Sequence, residues 1–363
     1  MSLGLTEKKR IAMLDELSHW HKKRKSFNLL QGVVLCGSLE FWANTSLWVR
    51  FIYLQLRSSV NQCLSNSSKI TKNKSDIKKL ITEVANTKGL KNHDLKETNL
   101  QSKIAKDTYK CQHKAFINKT MKSELSTRIN ILSNPDKYNL ETPIAHVVKR
   151  EPDFVTFGDA CLEAGGGFSE NLFWWHVEWP DEIKALTLKN LRVTRKCHLS
   201  KELISINLLE FAVEIINYAA ITVLFRENPS LCKHLYPLLL NWTDNMTSKS
   251  WIRKAASRTK KGKALQRLLC SLMINNPVGL KAEHIAGILN VLADAISRTY
   301  SSSYSKLSFE NLFQEFPQMR SWDRFHPSQE LLSALYSGLL EGQDHGLCLP
   351  KQLGHFAPGK ITS

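Results

Sequence analysis

The chain has 363 residues and 42% apolar content, which excludes wholesale disorder and leaves room for two or three modest domains. Fifty Lys and Arg against 33 Asp and Glu give a formal net charge of +17, which points to a polyanionic partner (nucleic acid or an anionic membrane) or otherwise to a solvated basic surface. The eight cysteines include no C-x-x-C pair, so neither a zinc ribbon nor a small disulfide scaffold fits, and a reduced, intracellular chain is expected.

Residues 1–60 read as a helical segment. Thr6 is a candidate N-cap ahead of Glu7 and the helical run Ile11, Leu14, Leu17. Leu29 to Leu56 then packs Leu, Val, Phe and Trp at mixed three- and four-residue spacing. The apolar run Phe27 to Leu56 follows Lys22-Lys23-Arg24-Lys25 and so superficially resembles a signal anchor. Gln31, Glu40, Asn44 and Arg50 interrupt it too often for a span of about 20 residues, so packed helices and no membrane segment are expected. Residues 61–150 form a basic, partly flexible connector, with 19 basic against 8 acidic residues between Arg57 and Arg150.

From 151 to 300 the texture changes to an α/β order. Asp153 to Phe157 is a short strand ending at Gly158-Asp159, and the glycine run Gly165-Gly166-Gly167 leads to an aromatic strand, Asn171 to Val177. Ile206 to Phe225 has helical spacing without Pro or Gly. Pro237 to Trp242 is a continuous apolar strand, as expected when both faces are buried. Thr247 to Ala256 and Lys263 to Ile274 read as helices, Val278 to His284 as the last strand, and Val291 to Ser297 as a closing helix. Such alternation predicts a sheet covered by helices with some parallel pairing. Residues 301–363 open on Ser301-Ser302-Ser303 and read as a tail with a short helix, Ser328 to Leu340.

Four acids in this zone carry the chemistry. Asp159 and Asp244 each close a strand, so both project at one rim of the sheet, where open α/β sheets place their sites. Glu210 and Asp294 lie on stretches whose other residues are almost all apolar. A carboxylate in such surroundings costs several kcal/mol unless it is paired or metal-bound. Four converging acids would hold two hard divalent cations roughly 3.5–4 Å apart for phosphodiester hydrolysis. Taken singly, Asp244 reads as a helix N-cap, and Glu210 or Asp294 as a solvent-facing edge residue. Trp174, Trp175 and Trp179 suggest either base stacking or core packing.

These positions fall in recognisable motifs. Phe157-Gly158-Asp159-Ala160-Cys161 with Gly165-Gly166-Gly167-Phe168 resembles the first-strand motif of retroelement ribonuclease H domains, although Cys161 stands where that family commonly has Ser. Asn207-Leu208-Leu209-Glu210 resembles the helix carrying the family's second acid, and Trp242-Thr243-Asp244-Asn245-Met246-Thr247 its T-D-N-x-T motif. His284 through Arg298 matches the terminal H-x-x-G-x-x-N-x-x-A-D-x-x-S-R signature, the longest and most specific of the four. Asn28 to Gly32 and Gly37 to Phe41 resemble, more weakly, the segment after the polymerase palm. With no paired-aspartate motif such as Y-x-D-D, the chain resembles the C-terminal part of a DIRS-like or gypsy-like reverse transcriptase polyprotein.

The resemblance implies a ribonuclease H-like mixed sheet flanked by helices, preceded by a helical segment akin to a thumb or connection region. It implies two Mg²⁺ or Mn²⁺ ions held by Asp159, Glu210, Asp244 and Asp294, with His284 assisting proton transfer or product release. The implied substrate is the RNA strand of an RNA–DNA hybrid, with a polymerase domain as a further partner. Asn245 and Asn290 would hold the substrate backbone or orient carboxylates. Lys249 and Arg253, with Lys254, Arg258, Lys260, Lys261 and Lys263, would offer cations to phosphates or form a solvated face. The alternative is a catalytically inactive relic, or an adapted module that only binds nucleic acid.

Overall fold

The structure is a computed structural model that describes residues 2–44, 47–69, 114–138, 140–192, 203–255, 257, 259–299, 309–342 and 350–358. The chain divides into two units, one of residues 1–4, 45–51 and 141–363, the other of residues 5–44 and 52–140.

In the larger unit β-branched, aromatic and leucine residues concentrate in the strands at 154–160, 173–178 and 238–243, which belong to a set of seven among the described residues. The seven are β1 (Phe154–Ala160), β2 (Ala164–Ser169), β3 (Phe173–Glu178), β4 (Leu238–Thr243), β5 (Gly279–His284), β6 (Asp323–Pro327) and β7 (Gly354–Ala357). They form one mixed seven-stranded sheet in the order β7-β6-β3-β2-β1-β4-β5. β1, β2 and β3 pair antiparallel, whereas β1, β4 and β5 run parallel, with Gly158 beside Thr243 and Thr243 beside His284.

Helices cover the sheet: α1 (Asp181–Arg192), α2 (Ile206–Glu227), α3 (Met246–Lys254), α4 (Lys260–Ile274), α5 (Val291–Arg298), α6 (Phe309–Glu315) and α7 (Gln329–Leu340). Every residue of α2 from Leu208 to Leu224 is buried, which explains its apolar composition on all sides. Among the described residues it is the one helix long and apolar enough to cross a membrane, and 94% of its apolar window is buried inside the fold.

The glycine run is a strand and not a connection. A Cβ at Gly165 would stand 2.8 Å from Val213 on α2, and one at Gly167 would stand 2.6 Å from Asn217 on the same helix. A Cβ at Gly166, on the opposite face, would meet Ile296 and the Ser297 backbone of α5 within 2.7 Å. β2 is therefore bare so that two helices can close on it from either side.

The expected boundary at residue 300 does not end the fold. β6 pairs parallel with β3, β7 adds antiparallel to β6, and Trp322, Phe309 and Phe313 join Phe168 and Trp174 in one buried cluster. The expected tail thus holds two strands and the helix Phe309–Glu315 in addition to the helix expected at 328–340, which runs Gln329–Leu340. The ordering comes from long-range pairing, which local sequence does not announce.

In the smaller unit, Thr6 caps helix Glu7–Lys22 as expected, its hydroxyl accepting from the Lys9 amide. The buried stripe is Met13, Leu17 and Trp20, while Ile11 is exposed. Residues Leu29–Ala43 and Leu47–Lys69 are two helices where one apolar stretch was read. Of the expected connector, residues 70–113 lie outside the described residues, but Lys119–Ser133 is a helix packed on Glu7–Lys22. Its Arg128 is buried, with Nη1 2.7 Å from Glu124 Oε2, and also donates to the Ile52 carbonyl.

Candidate functional site

Parallel pairing of β1, β4 and β5 brings Asp159, Asp244 and His284 to one rim, and α2 adds Glu210 from the face it covers. Ligand oxygens of Asp159, Glu210 and Asp244 lie within 4.8 Å of one another. Asp159 and Glu210 are buried, and Asp244 is half-buried.

Local chemistry sets each position. Gly158 has no side chain because a Cβ there would stand 2.4 Å from Val213; α2 can then lie close enough to present Glu210 beside Asp159. Asp244 does not cap the helix that follows. Asn245 does: its Oδ1 accepts from the Thr247 and Ser248 amides at 2.9 and 3.0 Å, and its Nδ2 donates to Asn207 at 2.8 Å. Asp244 is thereby left for the site, and Asn245 serves as the cap of the helix that follows. Asn290 is buried and donates to the Gly158 carbonyl at 3.0 Å, fixing the backbone next to Asp159.

Burial dominates the electrostatics. It raises the Asp159 carboxyl to about 6, with the Asp244 and Asp294 charges adding to the rise and the Ser297 hydroxyl, donating at 2.5 Å, opposing it. Glu210 is pushed well above the ordinary carboxylate range by burial, then by Asp159, Asp244 and Glu214. Asp244 is raised by burial and by Asp294, against His284 and Arg298. Three acids facing one another without an interleaved cation resist simultaneous ionisation.

Asp294 stands apart from this cluster. It is about 41% exposed and paired with Arg298 one turn on, at 2.6 Å. Its charge still bears on Asp159 and Asp244. His284 is exposed at the end of β5, beside the acids, its Nε2 3.2 Å from the Asp244 carbonyl. The turn Gly287–Leu289 passes over Asp244, since a Cβ at Gly287 would stand 3.0 Å from its Oδ2.

The cations are dispersed. Lys249 is tied to Glu283 at 2.5 Å, Lys260 donates to the Glu341 carbonyl, and Lys261 is buried; Arg253 and Lys254 are exposed, and Arg258 lies outside the described residues. The tryptophans serve the core and not bases. Trp175 donates to Asn217, Trp179 to the Cys161 carbonyl, and Trp174 packs against Phe309 and Phe313.

Three residues escaped the sequence reading. Ser297 and Arg298 sit inside the quoted terminal motif, but only the fold shows one on Asp159 and the other on Asp294. Glu214, one turn beyond Glu210 on the same apolar helix, is fully buried, with neither carboxyl oxygen completing a hydrogen bond. The argument that singled out Glu210 applies to it equally and could have found it. Comparisons with known protein families, with characterised proteins and with solved structures yielded no match.

Proposed function

We propose that the chain is a metal-dependent endoribonuclease of the ribonuclease H type, cleaving the RNA strand of RNA–DNA hybrids within a retroelement reverse transcriptase. The observation that carries this reading is the convergence of Asp159, Glu210 and Asp244 from two strand ends and a covering helix. The mixed sheet flanked by helices is compatible with a ribonuclease H-like fold.

The donors suit Mg²⁺ or Mn²⁺. All three are carboxylates, the ligands hard cations select, and Glu210 Oε2 is buried without a hydrogen-bond partner. Burying such an atom is costly until positive charge faces it. Asp159, Glu210 and Asp244 would hold one ion, and Asp294 would complete a second on leaving Arg298. When bound, such ions supply a water of lowered pKa and positive charge opposite the leaving oxygen. His284 moves a proton at the leaving oxygen, Ser297 and Asn290 fix Asp159, and Arg253 and Lys254 meet phosphates. Selection for RNA rests on 2′-hydroxyls in a wide, shallow minor groove.

A second reading, a nucleic-acid-binding relic, draws on one observation: the pairing of Asp294 with Arg298 outside the cluster. A labelled RNA–DNA hybrid with Mg²⁺ or Mn²⁺ decides between them. Metal-dependent RNA cleavage, lost by at least 100-fold in Asp244→Asn, is expected. Salt-sensitive binding by folded protein without cleavage in either metal supports the relic instead.

A further inference from the structure

A second ligand cluster lies at the other end of β1. Asp153 immediately precedes that strand and Asp159 is its sixth residue, so at about 3.3 Å per residue the two stand about 20 Å apart. Ligand atoms of Asp153, Cys232 and His234 lie within 4.8 Å of one another. We propose that these three side chains bind one zinc-class divalent cation, leaving a fourth coordination position for water or an incoming ligand.

The geometry supports it in three ways. First, the loop before β4 presents Cys232 and His234 together. The His234 amide donates to the Cys232 sulfur at 3.4 Å, and the thiol donates back to the His234 carbonyl at 3.2 Å. Second, Asp153 is already oriented. Its Oδ2 accepts from Arg150 Nη1 and from the Leu238 amide, each at 2.7 Å, which turns Oδ1 toward His234 Nδ1. A carboxylate held through one oxygen and offered through the other is the outer-shell arrangement that metal ligands use. Third, the donors are mixed. A thiol, an imidazole and a carboxylate suit Zn²⁺ or Co²⁺ and not Mg²⁺ or Ca²⁺. Bonds of about 2.0–2.3 Å in a tetrahedron set ligand atoms about 3.3–3.8 Å apart, so the ion would replace the His234–Asp153 hydrogen bond, spreading that pair while the wider spacings in the cluster close slightly.

The Arg150–Asp153 ion pair alone explains the carboxylate but gives the thiol no role. Arg150 also stands 3.3 Å from His234 Nδ1, so a bound dication has a positive neighbour. The Asp153 carboxylate and the Cys232 thiolate together balance the dication, and Arg150 remains on Oδ2. Binding forms a metal–sulfur bond and releases the thiol proton to solvent. His234 is more than half exposed, which leaves a path for the ion.

The test is titration of the chelator-treated full chain with Co²⁺, then Zn²⁺. One equivalent of Co²⁺ should give the thiolate charge-transfer and intense visible bands of a near-tetrahedral site, displaced by Zn²⁺ but not by millimolar Mg²⁺. Cys232→Ser should abolish the charge-transfer band, and His234→Ala should weaken binding by at least 10-fold. The double variant Asp159→Asn, Asp244→Asn should keep the same charge-transfer band and its displacement by Zn²⁺. A band that survives Cys232→Ser, or no saturable Co²⁺ binding by folded protein, overturns the proposal. Neither result touches the nuclease reading.

Discussion

Glu214 shows how a single side chain can set the response of the fold to pH. It sits on α2 with the Thr243 and Asn241 side chains as its polar neighbours, and burial raises its carboxyl to about 8. The unfolded chain releases the same proton in the ordinary carboxylate range. Between those limits the folded state binds the extra proton, so stability falls as pH rises and levels off above about 8. This is opposite in sign to a salt-bridged acid. Asp159, raised to about 6, adds to the same slope below that pH. Gln at position 214 removes the titration, at the cost of burying an amide with few partners, about 1–3 kcal/mol. Urea unfolding of Glu214→Gln should therefore show a variant no more stable than the parent near pH 5. The difference should then move in the variant's favour by about 1.4 kcal/mol per pH unit until Glu214 titrates. A pH-independent difference would mean that Glu214 is already ionised in the folded state.

At the scale of elements, what was legible depended on whether the cause was local. α2 announced itself through composition, and the parallel strands β1, β4 and β5 through apolar runs that end in Asp or His. Taken singly Asp244 reads as a cap, but the cap is its neighbour Asn245; both are good caps, and only the backbone shows which one turns inward. β2 was hidden for the opposite reason: glycine has poor strand propensity, and its presence reflects helices pressing from both faces. Gly166→Ala tests this directly. Its Cβ would press on backbone atoms of α5, which cannot swing aside as a side-chain tip does. The expected loss is about 1–3 kcal/mol, and the thermal midpoint should fall accordingly. Gly37→Ala is the matched control. Position 37 is exposed within helix Leu29–Ala43 with nothing within 4 Å of the new carbon, so that change should stabilise by about 0.5–1 kcal/mol. If both substitutions cost stability alike, β2 is not clamped as described.

At the scale of the larger unit, the sequence motifs stop at Arg298 but the sheet does not. The segment from 309 onward supplies Phe309, Leu312, Phe313, Met319 and Trp322 to the cluster that buries Phe168 and Trp174. Arg324 lies over the rings of Trp174 and Phe309, and Phe168 stacks on Trp322 at 5.7 Å. On the other side, Gly338 of α7 lets that helix lie against Leu265 of α4, 3.1 Å from where its Cβ would be. Each buried apolar side chain contributes about 1.5–3 kcal/mol, so those five alone supply about 10 kcal/mol, comparable to the whole stability of an ordinary domain. A chain ended after Thr299 would keep all four motif acids, His284 and five strands. It would also expose Phe168, Trp174 and the outer edge of β3. We expect that shortened chain to lose its cooperative thermal transition and near-ultraviolet signal and to bind a hydrophobic dye, while retaining helical content. A chain continued to residue 358 should unfold in a single cooperative step in the same buffer. If instead the shortened form unfolds cooperatively within about 1 kcal/mol of the longer one, the added strands are an accessory layer and the domain does end where its motifs do.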